Sequence, residues 1–196
     1  HGLAISLLRV PQSSGPKRDK NKPDMMYPTL ARVILDHAQT TEQAVQMFHD
    51  YNIYFPYTAI HFMIADEAGD SKIVEFIGGK IRVTNQTGLW QLCTNDLVWG
   101  KTDTQLDLSC PRYRIGSSLA SEYTQSVPLK ESHAIDVTKS MATKGYTMWS
   151  SIYELRNRTL ALFYKKQPEL AYRETISLTD SSLNHRRGPF WKHVAF

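Results

Sequence analysis

The stretch at 59–76, AIHFMIADEAGDSKIVEF, limits the fold more than any other part of the chain. Two apolar runs of strand length are joined by Asp66-Glu67-Ala68-Gly69-Asp70, where Gly can take the positive φ that a tight reversal needs. The segment therefore reads as an antiparallel hairpin. Around Ile60 to Ile64 the strand is apolar on both faces, so its sheet is expected to be covered on both sides, by helices or by a second sheet. Strands at 80–83 and 89–93 would continue an antiparallel meander.

The flanking sequence changes to a helical period. Leu30, Val33, Ile34 and Ala38 mark one helix, and TTEQAVQMFHDY marks a second. In the second, Thr40 can cap the free amides, Gln43 can reach back to it, and Ala44, Val45, Phe48 and Tyr51 share a face. Beyond the sheet, Ile115, Leu119 and Tyr123 predict a third helix, and Ala134, Val137 and Met141 a fourth that ends at Gly145. YTMWSSIYELRNRTLALFYKK then predicts a second hairpin. Trp149, Ser151, Tyr153 and Leu155 alternate in its first arm, the turn is Arg156-Asn157-Arg158, and Leu160, Leu162 and Tyr164 lie in the second arm. At the front of the chain, 3–10 reads as a largely buried strand with only two residues before it, as if an upstream partner were missing. The segment 11–24, with three Pro and a charge run, is expected to be an exposed loop. The tail from Asn184 has no clear period. These patterns describe one α+β domain.

A chain of 196 residues with 41% hydrophobic and 21% charged side chains can bury a substantial core. No apolar run approaches the roughly 18 residues that suggest a membrane span. The net charge of +4 is dispersed, apart from 17–22 and Arg186-Arg187, which read as solvated loops rather than a nucleic-acid surface. Two cysteines, Cys93 and Cys110, make neither a disulfide framework nor a metal pattern, and the histidines lack short ligand spacing. His61, inside an apolar run, reads as a buried structural imidazole. Phosphate-cradling and dinucleotide glycine patterns are missing as well. No metal, cofactor or nucleic acid is expected.

Chemistry concentrates in LWQLCTNDLVWG and LSCPRYRIG. An apolar run stops abruptly at Thr94-Asn95-Asp96, which is either an Asx-type turn or a carboxamide held at a sheet rim to donate to an oxyanion. Pro111 sets a helix start and puts Arg112 in its first turn. A cation there opposes the helix dipole, so something other than helix stability is expected to hold it.

In this order, HGLAISLLRVP, HFMIADEAGDSKIVEF, CTND, CPRYR and the closing hairpin resemble segments of the linear amide C–N hydrolases. This group of N-terminal nucleophile hydrolases comprises choloylglycine hydrolases, penicillin V acylases and the acyl-coenzyme A:6-aminopenicillanic acid acyltransferase-like proteins. The resemblance covers most of residues 1–164, so 1–166 would be the C-terminal portion of such a domain and 167–196 its extension. It implies a four-layer αββα sandwich of two antiparallel sheets. It also implies a hydrolase or acyltransferase in which a Cys at the mature N-terminus attacks a non-peptide amide, its own α-amino group serving as base. Asn95 matches the family's oxyanion-hole Asn, Arg112 matches the Arg beside the nucleophile, and Trp90 and Trp99 are candidates for the acyl pocket. His1 falls inside the family's Asn-Glu-x-Gly-Leu segment, so the nucleophile would lie upstream and these residues alone would be inactive. Cys93 and Cys110 are interior and cannot supply a free α-amino group. The expected partner is a small-molecule amide, with homo-oligomerisation left open. The alternative is a non-catalytic scaffold of the same fold that binds a partner or an acyl ligand.

Overall fold

The computed structural model describes residues 2–125, 129–166, 169–177 and 179. The elements run β1 (Leu3–Arg9), β2 (Asp24–Met26), α1 (Tyr27–His37), α2 (Thr41–Asp50), β3 (Asn52–Tyr54), β4 (Ile60–Asp66), β5 (Ser71–Ile77) and β6 (Lys80–Asn85). There follow α3 (Asp103–Ser109), α4 (Pro111–Thr124), α5 (Glu131–Ser140), β7 (Trp149–Glu154), β8 (Thr159–Lys166) and β9 (Glu169–Ser177). The fold class is α+β. A four-stranded antiparallel sheet has the order β1-β4-β5-β6, a three-stranded one the order β7-β8-β9, and β2 and β3 form a short parallel pair.

The predicted central hairpin is β4 and β5, paired with Phe62 opposite Val74. At its turn Gly69 has φ +94°, and Asp66 Oδ1 accepts from the amides of Ala68 and Asp70 at 3.1 and 3.2 Å. The other carboxylate oxygen of Asp66 accepts from the Thr41 amide at 3.1 Å, so one buried side chain joins the turn to the start of α2.

Strand alternation divides the core in two. Phe62, Ile64, Val74 and Phe76 point to one face, where Leu30 and Ile34 of α1 and Ala44 and Phe48 of α2 cover them. Burying each such side chain contributes on the order of 1.5–3 kcal/mol relative to leaving it exposed. The opposite face carries Ile73 with Met63 and Leu8, and is covered by Cys93, Val98, Leu106 and Tyr113. Both faces are covered as the apolar pattern predicts. Thr40 caps α2 by accepting from the Gln43 amide at 3.3 Å, while Gln43 Oε1 accepts from Gln39, one residue earlier than the predicted reach to Thr40.

Four expectations are corrected. Residues 89–93 are not a strand: the chain leaving β6 crosses the sheet's second face instead of pairing at its edge, so Leu92 and Cys93 enter that core. β1 is half-exposed rather than largely buried, because it forms one side of the sheet order and only Val10, just beyond it, is fully enclosed. In α4 the buried residues are Tyr113, Gly116 and Ser117, while Ile115 is exposed, because Tyr113 turns toward the β-sheet core. α5 stops at Ser140 rather than at Gly145, because the Met141 amide closes the last turn on the Val137 carbonyl and Gly145, with φ +88°, lies in the turn that follows. The second hairpin forms as predicted, with Trp149 opposite Tyr164 and Tyr153 opposite Leu160, and its buried residues are Ala161 and Phe163.

The loop 11–24 is exposed yet fastened. Ser13 Oγ and the Ser14 amide donate to the Phe76 carbonyl, and the Lys17 amide donates to the Gly79 carbonyl. Asn52 Nδ2 donates to the carbonyls of Asp19 and Lys22 and to Asp24 Oδ1. β9 falls within 167–196 and pairs with β8, and the tail from Asn184 lies outside the described residues.

Candidate functional site

Between β6 and α3 the backbone has no ladder, so side chains hold it in place. Gln91 accepts from the Ser71 hydroxyl at 2.8 Å and donates to the Thr84 carbonyl at 3.0 Å. Cys93, Thr94 and Val98 are buried, whereas Asn95 is exposed. Asp96 makes the local turn: Oδ1 accepts from the Leu97 amide at 2.8 Å, and Oδ2 pairs with Lys101 Nζ at 2.7 Å. Asp96 is thus the residue bonded to nearby backbone, though to the next amide rather than to the one two residues on. Asn95 is not: its Nδ2 donates at 2.9 Å to the carbonyl of Arg9, at the end of β1.

Arg112 completes the arrangement. Cys110 separates α3 from α4, its amide donating to the Leu106 carbonyl and its carbonyl accepting from Arg114. Pro111 follows at the start of α4, where its missing N–H costs nothing. Arg112 then extends from the first turn, and its Nη2 donates to Asn95 Oδ1 at 2.9 Å. No acidic residue lies in that turn, so the Asn95 carbonyl oxygen is the partner that the unfavourable dipole position calls for. The pair also fixes the amide's orientation. With Oδ1 facing the guanidinium, Nδ2 lies on the far side, and its two hydrogens allow one to serve Arg9 and the other to point elsewhere.

The two cysteines differ sharply. Burial, and then the charge of Glu75, pushes the Cys93 thiol up to about 12. Partial burial also opposes ionisation of Cys110, but the Thr94 side chain, the Tyr113 and Arg112 amides and the Arg112 charge together bring its pKa below the ordinary value. At a given mildly alkaline pH more of Cys110 is thiolate, so iodoacetamide is expected to label it well before Cys93 in the folded protein. Peptide mass mapping over time checks this, and equal rates would contradict it.

Trp99 is partly exposed, with the Arg82 guanidinium carbon 5.3 Å from its ring centre, and Trp90 is half-buried. An open cavity of about 460 Å³ lies elsewhere, lined by Arg18, Met25, Asn52, Ile53 and Tyr54 among others. Glu42, Asp66 and Asp70 bring carboxylate oxygens within 4.8 Å of one another, and Lys72 Nζ bridges Glu42 and Asp70 at 2.8 Å to each.

One residue escaped the sequence reading. Glu75 is fully buried on β5, and its carboxylate accepts from the Val98 amide at 2.9 and 3.2 Å and from the Trp99 amide at 2.7 Å. His61, buried as predicted, places Nδ1 3.2 Å from Glu75 Oε1. The available signal was a lone acid within the otherwise apolar run IVEF.

Comparison with known proteins identifies the family and the fold. The family model described as acyl-coenzyme A:6-aminopenicillanic acid acyl-transferase matches residues 1–168. The chain is 27% identical over 129 residues to penicillin V acylase of Pectobacterium atrosepticum, covering 60% of this chain and 33% of that protein. It thus spans about a third of that relative's length. Among solved structures, penicillin V acylase from Agrobacterium tumefaciens has a TM-score of 0.65 at 24% identity, over 91% of this chain and 64% of that one. A variant of conjugated bile acid hydrolase from Clostridium perfringens has a TM-score of 0.75 at 15% identity, over 90% and 70%. The fold is the α+β fold of these N-terminal nucleophile hydrolases. With the family model matching 168 consecutive residues, the chain belongs to the acyl-coenzyme A:6-aminopenicillanic acid acyl-transferase family, within the choloylglycine hydrolase group.

Proposed function

We propose that these residues form the oxyanion-stabilising side of a site that cleaves a linear, non-peptide amide, with the nucleophilic N-terminal Cys upstream of His1. The observation that carries the reading is the Asn95–Arg112 pair, which aims an amide N–H from the end of a buried segment while the guanidinium holds its other end at 2.9 Å. In the reaction, the thiolate adds to the amide carbonyl and the electron pair moves onto oxygen. Asn95 Nδ2–H donates to that oxyanion, in a place where a preorganised donor is worth more than water. Collapse expels the amine, which takes its proton from the α-ammonium group formed when the nucleophile's own α-amino group accepted the thiol proton. The thioester left behind is released by water in a hydrolase or by a second amine in an acyltransferase. Arg112 adds positive charge near the nucleophile, and Trp90 and Trp99 supply apolar surface for the acyl group.

The test is release of the amine product from penicillin V, conjugated bile acids and related N-acyl compounds by the full-length protein. Turnover that maps to an N-terminal Cys supports the reading. A folded full-length protein without such a residue and without turnover overturns it, and leaves a non-catalytic scaffold. Arg112→Lys keeps the charge but loses the planar fork that orients the amide. It is expected to lower kcat on the order of tenfold or more, the loss of one charge-assisted hydrogen bond.

A further inference from the structure

We infer that Glu75 is a positioning residue for the Asn95–Arg112 pair, fixing from the central sheet the backbone segment that crosses its face and presents Asn95. The inference rests on the role of Asn95 proposed above.

Glu75 lies in a row of cross-strand neighbours. Leu8 is opposite His61 on β1 and β4, the β4–β5 register puts His61 beside Glu75, and Glu75 is opposite Arg82 on β6. Around it are Ile73, Cys93, Val98, Leu106 and Tyr113, a cluster in which an aliphatic side chain would pack without desolvating a charge. Its oxygens explain why an acid stands there. Val98 N–H donates to both of them and Trp99 N–H to one, so they take the place of a strand partner for a stretch that has none. His61 Nδ1 lies 3.2 Å from Glu75 Oε1 and steadies the carboxyl group from the β4 side. Its buried Nε2 has no partner among the described residues.

The link to Asn95 is short. Val98 is three residues further on, and the interval is closed by Asp96 on the Leu97 amide, by the Lys101–Asp96 ion pair and by the Lys101 amide on the Val98 carbonyl. A turn tied at so many points shifts as a unit. Movement at Val98 is therefore passed to Asn95, whose hydrogen bonds to Arg9 and Arg112 are its own remaining guides.

The test is a double-mutant cycle in the full-length protein. Glu75→Gln keeps the volume but turns one acceptor into a donor facing the Val98 and Trp99 amides. It is expected to lower kcat about tenfold or more with KM little changed, as misplaced catalytic groups do. Added to Asn95→Ala it should change kcat by less than about twofold, since a residue acting through Asn95 has nothing left to position. Unchanged kcat in Glu75→Gln, or losses that multiply, would overturn the inference while leaving the role of Asn95 standing; a silent Asn95→Ala would overturn both. Amide hydrogen exchange supplies a second measurement that needs no variant to fold. The Val98 and Trp99 amides in the wild-type protein are expected to exchange at least about a hundredfold slower than free peptide. Free-peptide rates at those two amides would overturn the inference directly.

Discussion

Asn95→Ala in the full-length protein is expected to lower kcat by roughly a hundredfold to a thousandfold, the cost of removing one oxyanion donor. Stability should scarcely change. Asn95 is exposed, so its truncation opens no cavity, and Arg112 loses a partner while partly accessible to water. Asn95→Asp separates the roles of the two amide ends. It keeps an oxygen for Arg112 but removes the N–H and adds a negative charge where charge would develop. Its loss is expected to equal or exceed that of Asn95→Ala, and an Asp variant retaining more than about a tenth of wild-type kcat would sink the donor role. Far-ultraviolet circular dichroism of both variants should superpose on the wild type.

The largest effect on stability is expected at Phe48. This α2 side chain is fully buried, meets Phe62 edge-on at 4.8 Å between ring centres, and lies 6.3 Å from Phe76. It is the contact through which α2 seals one face of the central sheet. Phe48→Ala removes the ring's transfer free energy and leaves a cavity that three surrounding elements cannot close, at a cost of about 3–5 kcal/mol. For a domain of this size each kcal/mol is worth roughly 2–4 °C in Tm. Thermal unfolding should therefore shift down by about 6–20 °C, and a shift under about 3 °C would mean that the aromatic cluster is not the keystone the packing shows.

The parts of this fold that could be read in the sequence are those where one local rule acts alone. The 66–70 turn, the Thr40 cap and the two hairpins follow from glycine, capping chemistry and period two. Residues 89–93 misled because an apolar run of strand length also suits a chain crossing a sheet face, and tertiary packing decides between them. α3 went unread because its seven residues are too few for a clear period, and its reciprocal cap of Thr102 and Gln105 is seen only in the fold. The exposed Ile115 shows the limit of spacing, because two stripes are available on α4 and the neighbours choose one. For the site, the sequence marked Asn95 and Arg112 as unusual, yet their pairing depends on the path of the whole 86–112 segment. Glu75 escaped because its role lies in backbone amides more than twenty residues away, and no side-chain pattern records those.

The single residue between α3 and α4 has a mechanical consequence. Cys110 closes one helix and opens the next, with extended dihedrals of −145° and 114° and no linker on either side. Two helices joined by a single pair of soft torsions behave as an elbow without slack, so a tilt of α3 has nowhere to dissipate before it swings the first turn of α4. The guanidinium of Arg112 rides on that turn, and its aim is therefore set partly at the solvent-facing cap of α3, by Thr102 and Gln105.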